Sequence, residues 1–188
     1  MKPTDWFDPS QYPSKFETRA TRPSRTRAER EAEAARGKAN ERFIAAQLAD
    51  WATEKSGGPV VYQENPDPFA PIDGWLIWKG RRCRLLEAKA RTPMRVPDGF
   101  HRVEVGKMTA LQRGSLEQGI PALLAFGFAA RIEVLRVDAT SEAWVSQLGR
   151  AKFSEGDEAY LVPFDAWTTL ELEGWVTDPN PHAYSSPP

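Results

Sequence analysis

The feature that most limits the fold of this chain is a nearly continuous apolar run from Ile120 to Ala130. It is well short of the ~18 residues that a membrane-spanning helix requires. Short apolar runs without alternating polar residues are typical of strands that are buried on both faces of a sheet. Both faces must then be covered by other elements, so we predict an α/β domain with a mixed central sheet flanked by helices.

The segments around this run have the patterns of helices and strands. We predict a helix from Arg27 to about Glu54, which is one helix or two joined near Gly37. A second helix is predicted from about Val105 to Gln118 and is ended by Gly119. The predicted strands are Pro59–Glu64, Trp75–Lys79, Cys83–Ala90, Ile120–Phe128, Arg131–Val137 and Ala159–Pro163. Because the strands that end at Ala90 and Phe128 flank a helix, we expect them to be parallel. The predicted core order is α-β-β-β-α-β, followed by C-terminal β additions.

Proline-rich segments mark the ends of the predicted domain. We predict an extended basic and aromatic arm at residues 1–26, a single domain at residues 27–175 and a flexible proline-rich tail at residues 176–188. Prolines also favour a loop at residues 92–105, in which His101 could meet a phosphate. Residues 165–172 are predicted to form a helical turn or a short helix.

Charge and cysteine content exclude several classes of protein. The net charge is −1, but basic residues cluster between residues 15 and 30 and between residues 81 and 113. This distribution is compatible with a positive face for phosphates and equally with a scattered, solvated surface. A single cysteine, Cys83, excludes an internal disulfide, and with only two histidines it excludes a zinc site built from Cys and His. The N-terminus has no apolar leader, so we expect a cytoplasmic location.

Three charged residues are predicted to meet at one end of the hairpin formed by residues 74–90. Glu87 and Lys89 are two residues apart in a strand, so their side chains share a face. Asp73 precedes the partner strand, whose start lies opposite the end of the strand that carries Glu87. Carboxylates gathered in this way can bind Mg²⁺ or Mn²⁺. The alternative is that Glu87 and Lys89 form an ion pair on an exposed strand.

Glu41 is a fourth charged residue in an unusual position, because it lies within the apolar stripe of the first predicted helix. The apolar residues within about 80° of it on the helix are Ile44, Ala45, Leu48, Trp51 and Ala52. A carboxylate on the buried side of a helix needs a partner, unless its head group reaches solvent at the edge of the stripe. The stripe therefore predicts a partner for Glu41 if its carboxylate is buried.

Pro71-Ile72-Asp73, followed by Glu87-Ala88-Lys89, resembles the PD-(D/E)XK nuclease motif. The predicted element order resembles the restriction-endonuclease-like αβββαβ core of that superfamily. The stretch GKANERFIAAQLADW, which contains Glu41, is similar to the opening of archaeal-type Holliday-junction resolvases. The resemblance covers about residues 36–128, and it implies a metal-dependent nuclease with this core.

The resemblance also implies roles for particular residues, and the implied catalytic set is Glu41, Asp73, Glu87, Lys89 and Gln112. Asp73 and Glu87 would bind Mg²⁺ or Mn²⁺, with the carbonyl of Ala88 as a third ligand and Glu41 as an outer or second-metal ligand. Lys89 would orient or deprotonate the attacking water. Gln112 would act from the helix after the motif, or it would be only a hydrogen-bonding residue at the edge of the core.

Residues and resemblance together predict an endonuclease that hydrolyses phosphodiester bonds in DNA, with branched DNA as the expected substrate and a homodimer as the expected assembly. The residues expected to contact nucleic acid are Arg22, Arg25, Arg27, Arg81, Arg82, Arg91 and Lys107. The alternative is a catalytically inactive nuclease-like module that binds nucleic acid or takes part in an assembly. The two basic clusters and the arm favour this alternative, because neither feature requires catalysis.

Overall fold

The computed structural model describes residues 26–67, 69–91, 99–128, 131–138, 141–145, 148–154 and 157–171. The predicted tail and all but the last residue of the predicted arm lie outside these ranges. The chain divides into two compact units at residues 34 and 35. The described part of the first unit is the start of a long helix, and all other elements belong to the second unit, which is described below.

A six-stranded mixed sheet forms the centre of the second unit. Its strands are β1 (Val60–Glu64), β2 (Gly74–Trp78), β3 (Arg81–Ala90), β5 (Ala122–Gly127), β6 (Arg131–Val137) and β9 (Thr168–Glu171), in the order β1-β2-β3-β5-β6-β9. The pair β3 and β5 is parallel, as predicted, and the other neighbours are antiparallel. The prediction of an α/β protein with a mixed sheet is therefore confirmed.

Two helices lie along this chain where the sequence predicts them. α1 spans Arg27–Ser56 as one helix that continues through Gly37, and α2 spans Val105–Gln118. Gly119 ends α2 with a φ of 65°, a left-handed conformation that glycine adopts without steric cost. No helix within the described ranges is both long and apolar enough to cross a membrane.

The helices and the central sheet enclose two apolar clusters. One cluster contains Ile44, Leu48, Leu76 and Leu86, and joins α1 to the sheet. The other includes Leu85, Met108, Leu111, Leu124 and Leu135, and contains the buried side of α2. One prediction about a helix face is wrong, because Trp51 is 38% exposed. This residue lies at the edge of the apolar stripe of α1, where a helix need not contact the sheet.

A second, three-stranded sheet corrects the prediction of a loop at residues 92–105. Phe100–Glu104 forms strand β4, which pairs with β8 (Asp157–Pro163), and β8 pairs in turn with β7 (Gly149–Ser154). The prolines that favoured a loop, Pro93 and Pro97, precede this strand and so do not prevent it. A short helix α3 (Glu142–Val145) precedes β7.

Of the helical turn or short helix predicted at residues 165–172, only a turn at its start is present. A single 3₁₀ turn at Phe164–Ala166 is followed by β9, which pairs with β6. The reason is that β6 would otherwise be an edge strand, and Thr168 and Thr169 are β-branched residues that suit pairing with it.

A buried hydrogen bond links the two sheets. His101 on β4 shares a hydrogen bond with Glu133 on β6, and both side chains are buried. His101 is therefore a core residue, and the expectation that it lies in a loop near a phosphate is wrong. Four aromatic rings have centroids 4.5–5.6 Å from the His101 ring: Phe126, Phe128, Phe164 and Trp167.

Candidate active site

The hairpin of β2 and β3 places Asp73 beside Glu87, as its register predicts. The turn at Lys79 and Gly80 has a positive φ at both residues, which is the geometry of tight hairpins. Gly74 is opposite Leu86, and the backbone N–H of Asp73 donates to the Leu86 carbonyl at 3.0 Å. The Asp73 carboxylate then accepts a hydrogen bond from the backbone N–H of Ala88 at 2.9 Å. Asp73 is thus fixed on the strand that carries Glu87.

Gly74 is required where it stands because the neighbouring strand approaches closely. A Cβ at this position would overlap the carbonyl oxygen of Gln63 and lie 2.8 Å from the ring of Tyr62. The Tyr62 hydroxyl donates to the Asp73 carbonyl at 2.9 Å. Burial and the charge of Asp73 raise the pKa of Tyr62 to about 12, so the phenol stays protonated and remains a donor. The tyrosine and the glycine therefore hold the backbone of Asp73 from the β1 side.

Glu87 is a buried carboxylate with an unusual proton affinity. Its side chain is 4% exposed, and its Oε1 atom lies 2.7 Å from the Nζ atom of Lys107 on α2. Burial and the negative charge of Asp73 raise the pKa of Glu87 to about 7, although Lys107 and Lys89 oppose the shift. Glu87 and Asp73 are therefore close enough to repel each other when both are ionised.

Lys89 shares the face of Glu87 and is half-buried. In the parallel pairing with β5 it lies opposite Phe126. No carboxylate in the described part of the chain lies within ion-pair distance of its amine, but its charge lowers the pKa of both Glu41 and Glu87. Lys89 thus lies beside the carboxylates, and its amine remains available to a further group.

Glu41 reaches the same cluster from α1, and it brings a lysine that the sequence analysis missed. The Nζ atom of Lys38 lies 3.3 Å from Asp73, 3.4 Å from Glu64 and 3.6 Å from Glu41. Burial and the charge of Asp73 raise the pKa of Glu41, while Lys38 and Lys89 oppose that rise. Lys38 precedes Glu41 by three residues, a spacing that puts both on one helix face and could have revealed the pair.

The charges around Lys38 also change its own proton affinity. Burial by itself lowers the pKa of Lys38, but the charges of Asp73 and Glu41 outweigh burial and hold the pKa above its ordinary value. Glu64 is shared with Arg42, whose Nε atom lies 3.0 Å from it, and these contacts lower the pKa of Glu64. Lys38 therefore stays charged in the middle of three carboxylates.

The other predicted site residues lie at varying distances from this cluster. Gln112 is half-buried on α2, and no hydrogen bond joins it to the carboxylates in the described residues. Lys107 was expected at a phosphate, but it pairs with Glu87 and donates to the Pro71 carbonyl at 3.1 Å. Ala88 is fully buried, and its backbone N–H donates to the Asp73 carboxylate.

The predicted nucleic-acid contacts are dispersed. Arg81 and Arg82 lie at the far end of β3, about 16–20 Å from Glu87 at ~3.3 Å per residue. Arg82 stacks on Trp75 with its Cζ atom 3.7 Å from the ring centroid, and Arg91 stacks on Phe126 at 4.7 Å. Arg27 pairs with Glu31 at the start of α1. Arg22 and Arg25 lie outside the described residues.

The carboxylates of this cluster suit Mg²⁺ or Mn²⁺, although they do not form a ready three-carboxylate site in the described residues. Within the described ranges, no group of three His, Cys, Asp or Glu residues is arranged to hold a metal ion. Asp73 and Glu87 nevertheless offer hard oxygen donors, and the repulsion between them is what a divalent cation relieves. Ligand roles for Glu41 and for the Ala88 carbonyl stay predictions.

Comparisons with models of known protein families, with curated proteins and with solved structures found no match to this chain. The fold and the site geometry are therefore the basis for any conclusion about function.

Proposed function

We propose that this chain is a metal-dependent nuclease that hydrolyses phosphodiester bonds in DNA. The observation that carries the proposal is that the carboxylates of Asp73 and Glu87 lie side by side at one end of β3. The pKa of Glu87 is raised to about 7, and Lys89 lies on the same face of the strand. Two carboxylates that repel each other are costly for folding alone, and the amine beside them has no carboxylate partner among the described residues. They are the groups that phosphodiester hydrolysis needs.

The roles follow from chemistry and position. Asp73 and Glu87 would hold Mg²⁺ or Mn²⁺, which supplies Lewis acidity at the phosphoryl oxygen. The amine of Lys89 would orient the attacking water and neutralise charge that develops on the phosphoryl group. The N–H of Ala88 keeps the Asp73 carboxylate turned toward β3. The water attacks phosphorus in line, the P–O bond to the 3′-oxygen breaks, and a 5′-phosphate and a 3′-hydroxyl result.

The element order supports the same reading. α1 supplies Glu41, β2 and β3 supply Asp73, Glu87 and Lys89, and α2 connects β3 to the parallel strand β5. The inserted strand β4 belongs to the other sheet, so the central sheet keeps the α-β-β-β-α-β order of a restriction-endonuclease-like core. This order is compatible with the PD-(D/E)XK resemblance, which remains part of the proposal.

Branched DNA and a homodimer belong to the finer part of the proposal. A four-way junction presents two equivalent strands, and a two-fold dimer meets them with two sites. Arg91 lies next to the Glu87 and Lys89 segment, and Lys107 lies on the Glu87 carboxylate. Each could contact a phosphate adjacent to the scissile bond, which would position the strand without reading its sequence.

The test is a cleavage panel read at nucleotide resolution. Four-way junctions, flaps, duplex and single-stranded DNA are incubated with the protein in Mg²⁺, Mn²⁺ or Ca²⁺. We expect products with 5′-phosphates in Mg²⁺ or Mn²⁺, binding without cleavage in Ca²⁺, and no cleavage by Asp73→Asn. Lys55→Ala, at the C-terminal end of α1, is the matched control and should cut like the wild type. Equal cleavage by Asp73→Asn would overturn the proposal.

A catalytically inactive module is the second candidate, and one observation favours it. Asp73 and Glu87 each have an ammonium partner already, namely Lys38 and Lys107. Such a balanced network can be purely structural. An inactive module would bind DNA without cutting it and would bind no Mn²⁺ at this cluster, which calorimetry on the wild type and on Asp73→Asn distinguishes.

A further inference from the structure

Lys38 occupies the space between the carboxylates in an unusual way. Its amine lies within 3.3–3.6 Å of three different acids, Asp73, Glu41 and Glu64, and donates a hydrogen bond to the Oδ1 atom of Asp73. The Oδ2 atom of Asp73 accepts from the Ala88 N–H at 2.9 Å. Both oxygens of the proposed metal ligand are therefore already engaged.

A divalent cation at Asp73 would lie next to the Lys38 ammonium. Two positive charges at this separation repel each other, and both would compete for the same oxygen. Lys38 is 36% exposed on its side chain, so it can move without opening the core. Lys107 differs, because it is 21% exposed and also donates to the Pro71 carbonyl.

Glu64 offers Lys38 a position away from Asp73. It lies at the end of β1 and its side chain is 33% exposed, about twice the 16% of Asp73. Lys38 already touches it at 3.4 Å, so a shift toward Glu64 keeps one ion pair while Asp73 becomes free.

We infer that Lys38 is a competing cation of the proposed metal site: it pairs with Asp73 and Glu41 when no metal is bound, and it moves to Glu64 when a divalent cation binds. This inference rests on the proposed function and adds a regulatory element to it. Lys38 sets the metal concentration at which the site fills, and it takes no part in the chemical step.

The test is Mn²⁺ binding by calorimetry, which does not depend on cleavage. Lys38→Met should tighten Mn²⁺ binding about tenfold or more, because it removes the competing charge. Lys38→Arg keeps the charge and should bind Mn²⁺ like the wild type. Lys55→Met makes the same change in net charge far from the site, and should leave the affinity unchanged. Thermal unfolding of each variant verifies that it is folded.

A double-mutant cycle tests the role of Glu64. Glu64→Gln should weaken Mn²⁺ binding in the wild type, because Lys38 loses its alternative partner, and should have almost no effect in Lys38→Met. An equal effect in both backgrounds would mean that Glu64 acts only through its own charge, and would overturn the inference.

The failure of this inference differs from the failure of the proposed function. If the wild type binds Mn²⁺ and Lys38→Met binds it equally well, Lys38 does not compete and only the inference fails. If Lys55→Met tightens binding as much as Lys38→Met, net charge is the cause and again only the inference fails. If neither the wild type nor Lys38→Met binds Mn²⁺, the metal site itself is absent and the proposed function fails.

Discussion

Two buried carboxylates, Glu87 and Glu133, have opposite surroundings in this protein. Glu133 accepts from Arg131 at 2.6 Å and shares a hydrogen bond with His101, inside a shell of aromatic rings. Among the described residues Glu87 has one ionic partner, Lys107, and burial together with the charge of the nearby carboxylate of Asp73 raises its pKa to about 7. Glu133 therefore has the environment of a structural ion pair. Glu87 has the environment that is typical of functional residues, because ionising it inside the protein lowers the stability of the fold.

The largest expected effect concerns Lys89, the residue that distinguishes the Glu87 site most clearly. Lys89→Ala should lower the rate of DNA cleavage by about 10²–10⁴-fold, because the amine that orients the attacking water and neutralises charge on the phosphoryl group is removed. Cleavage in Mn²⁺ under single-turnover conditions measures this loss. Arg131→Ala, beside Glu133, is the comparison variant and should retain most of the activity. If Lys89→Ala cuts DNA as fast as the wild type, Lys89 has no role in the reaction.

The next effect is a pH dependence of stability. In the folded protein the pKa of Glu87 is about 7, above its unfolded value of 4.5, so the folded state holds this proton more tightly. Its stabilising contribution, on the order of 3 kcal/mol, is therefore full below pH 4.5 and is lost as the pH rises through 7. Urea unfolding from pH 4.5 to 8 measures the loss.

The control for this pH dependence is Glu87→Gln, which cannot ionise. The pH dependence from His101 has the opposite sign. Burial lowers the pKa of His101 despite the charge of Glu133. Its contribution to the free energy of unfolding is therefore lost as the pH falls below 6.5. Subtracting the Glu87→Gln profile from that of the wild type isolates Glu87. A difference that does not change between pH 4.5 and 8 would contradict the assigned pKa.

The Glu133 pair should show the reverse behaviour, with stability affected and metal binding unaffected. Glu133→Ala should lower the free energy of unfolding by about 2 kcal/mol, because it leaves His101 buried without its partner. Mn²⁺ affinity by calorimetry should stay at the wild-type value. If Glu133→Ala weakens Mn²⁺ binding while the protein stays folded, Glu133 belongs to the functional site and the comparison fails.

The smallest expected effect is at the exposed pair of Arg42 and Glu64. Arg42→Ala should change the free energy of unfolding by less than about 1 kcal/mol, because exposed ion pairs are weak. Chemical denaturation of this variant beside Glu133→Ala compares an exposed pair with a buried one. A loss as large as that of Glu133→Ala would show that Glu64 is part of the structural core.

Local patterns predicted the hairpin and α2 correctly. Counting across the tight turn places Asp73 and Glu87 at the same end of the hairpin, but a β-bulge between Leu76 and Ile77 shifts the register by one residue from that count. The end of α2 follows from Gly119, because glycine adopts the left-handed cap.

Elements that depend on distant partners were not predictable in this way. β4 and β9 form because β8 and β6 offer them an edge, and neither partner lies nearby in the sequence. Tyr62 was missed for the same reason, because its role arises only where β1 approaches Asp73. The pairing of Lys38 with Glu41 could be read from their spacing on α1, but its contact with Asp73 depends on the approach of α1 to the hairpin.

The most direct test of the account is one variant, Glu87→Gln, measured in two ways at pH 8. Under the proposed function, the charge of Glu87 serves the metal site and destabilises the folded protein. DNA cleavage in Mn²⁺ should be lost, while the free energy of unfolding without metal should rise or stay unchanged, because the variant removes a buried charge repelled by Asp73. Cleavage at the wild-type rate together with a marked loss of stability would show that Glu87 is a structural partner of Lys107, and would contradict the account.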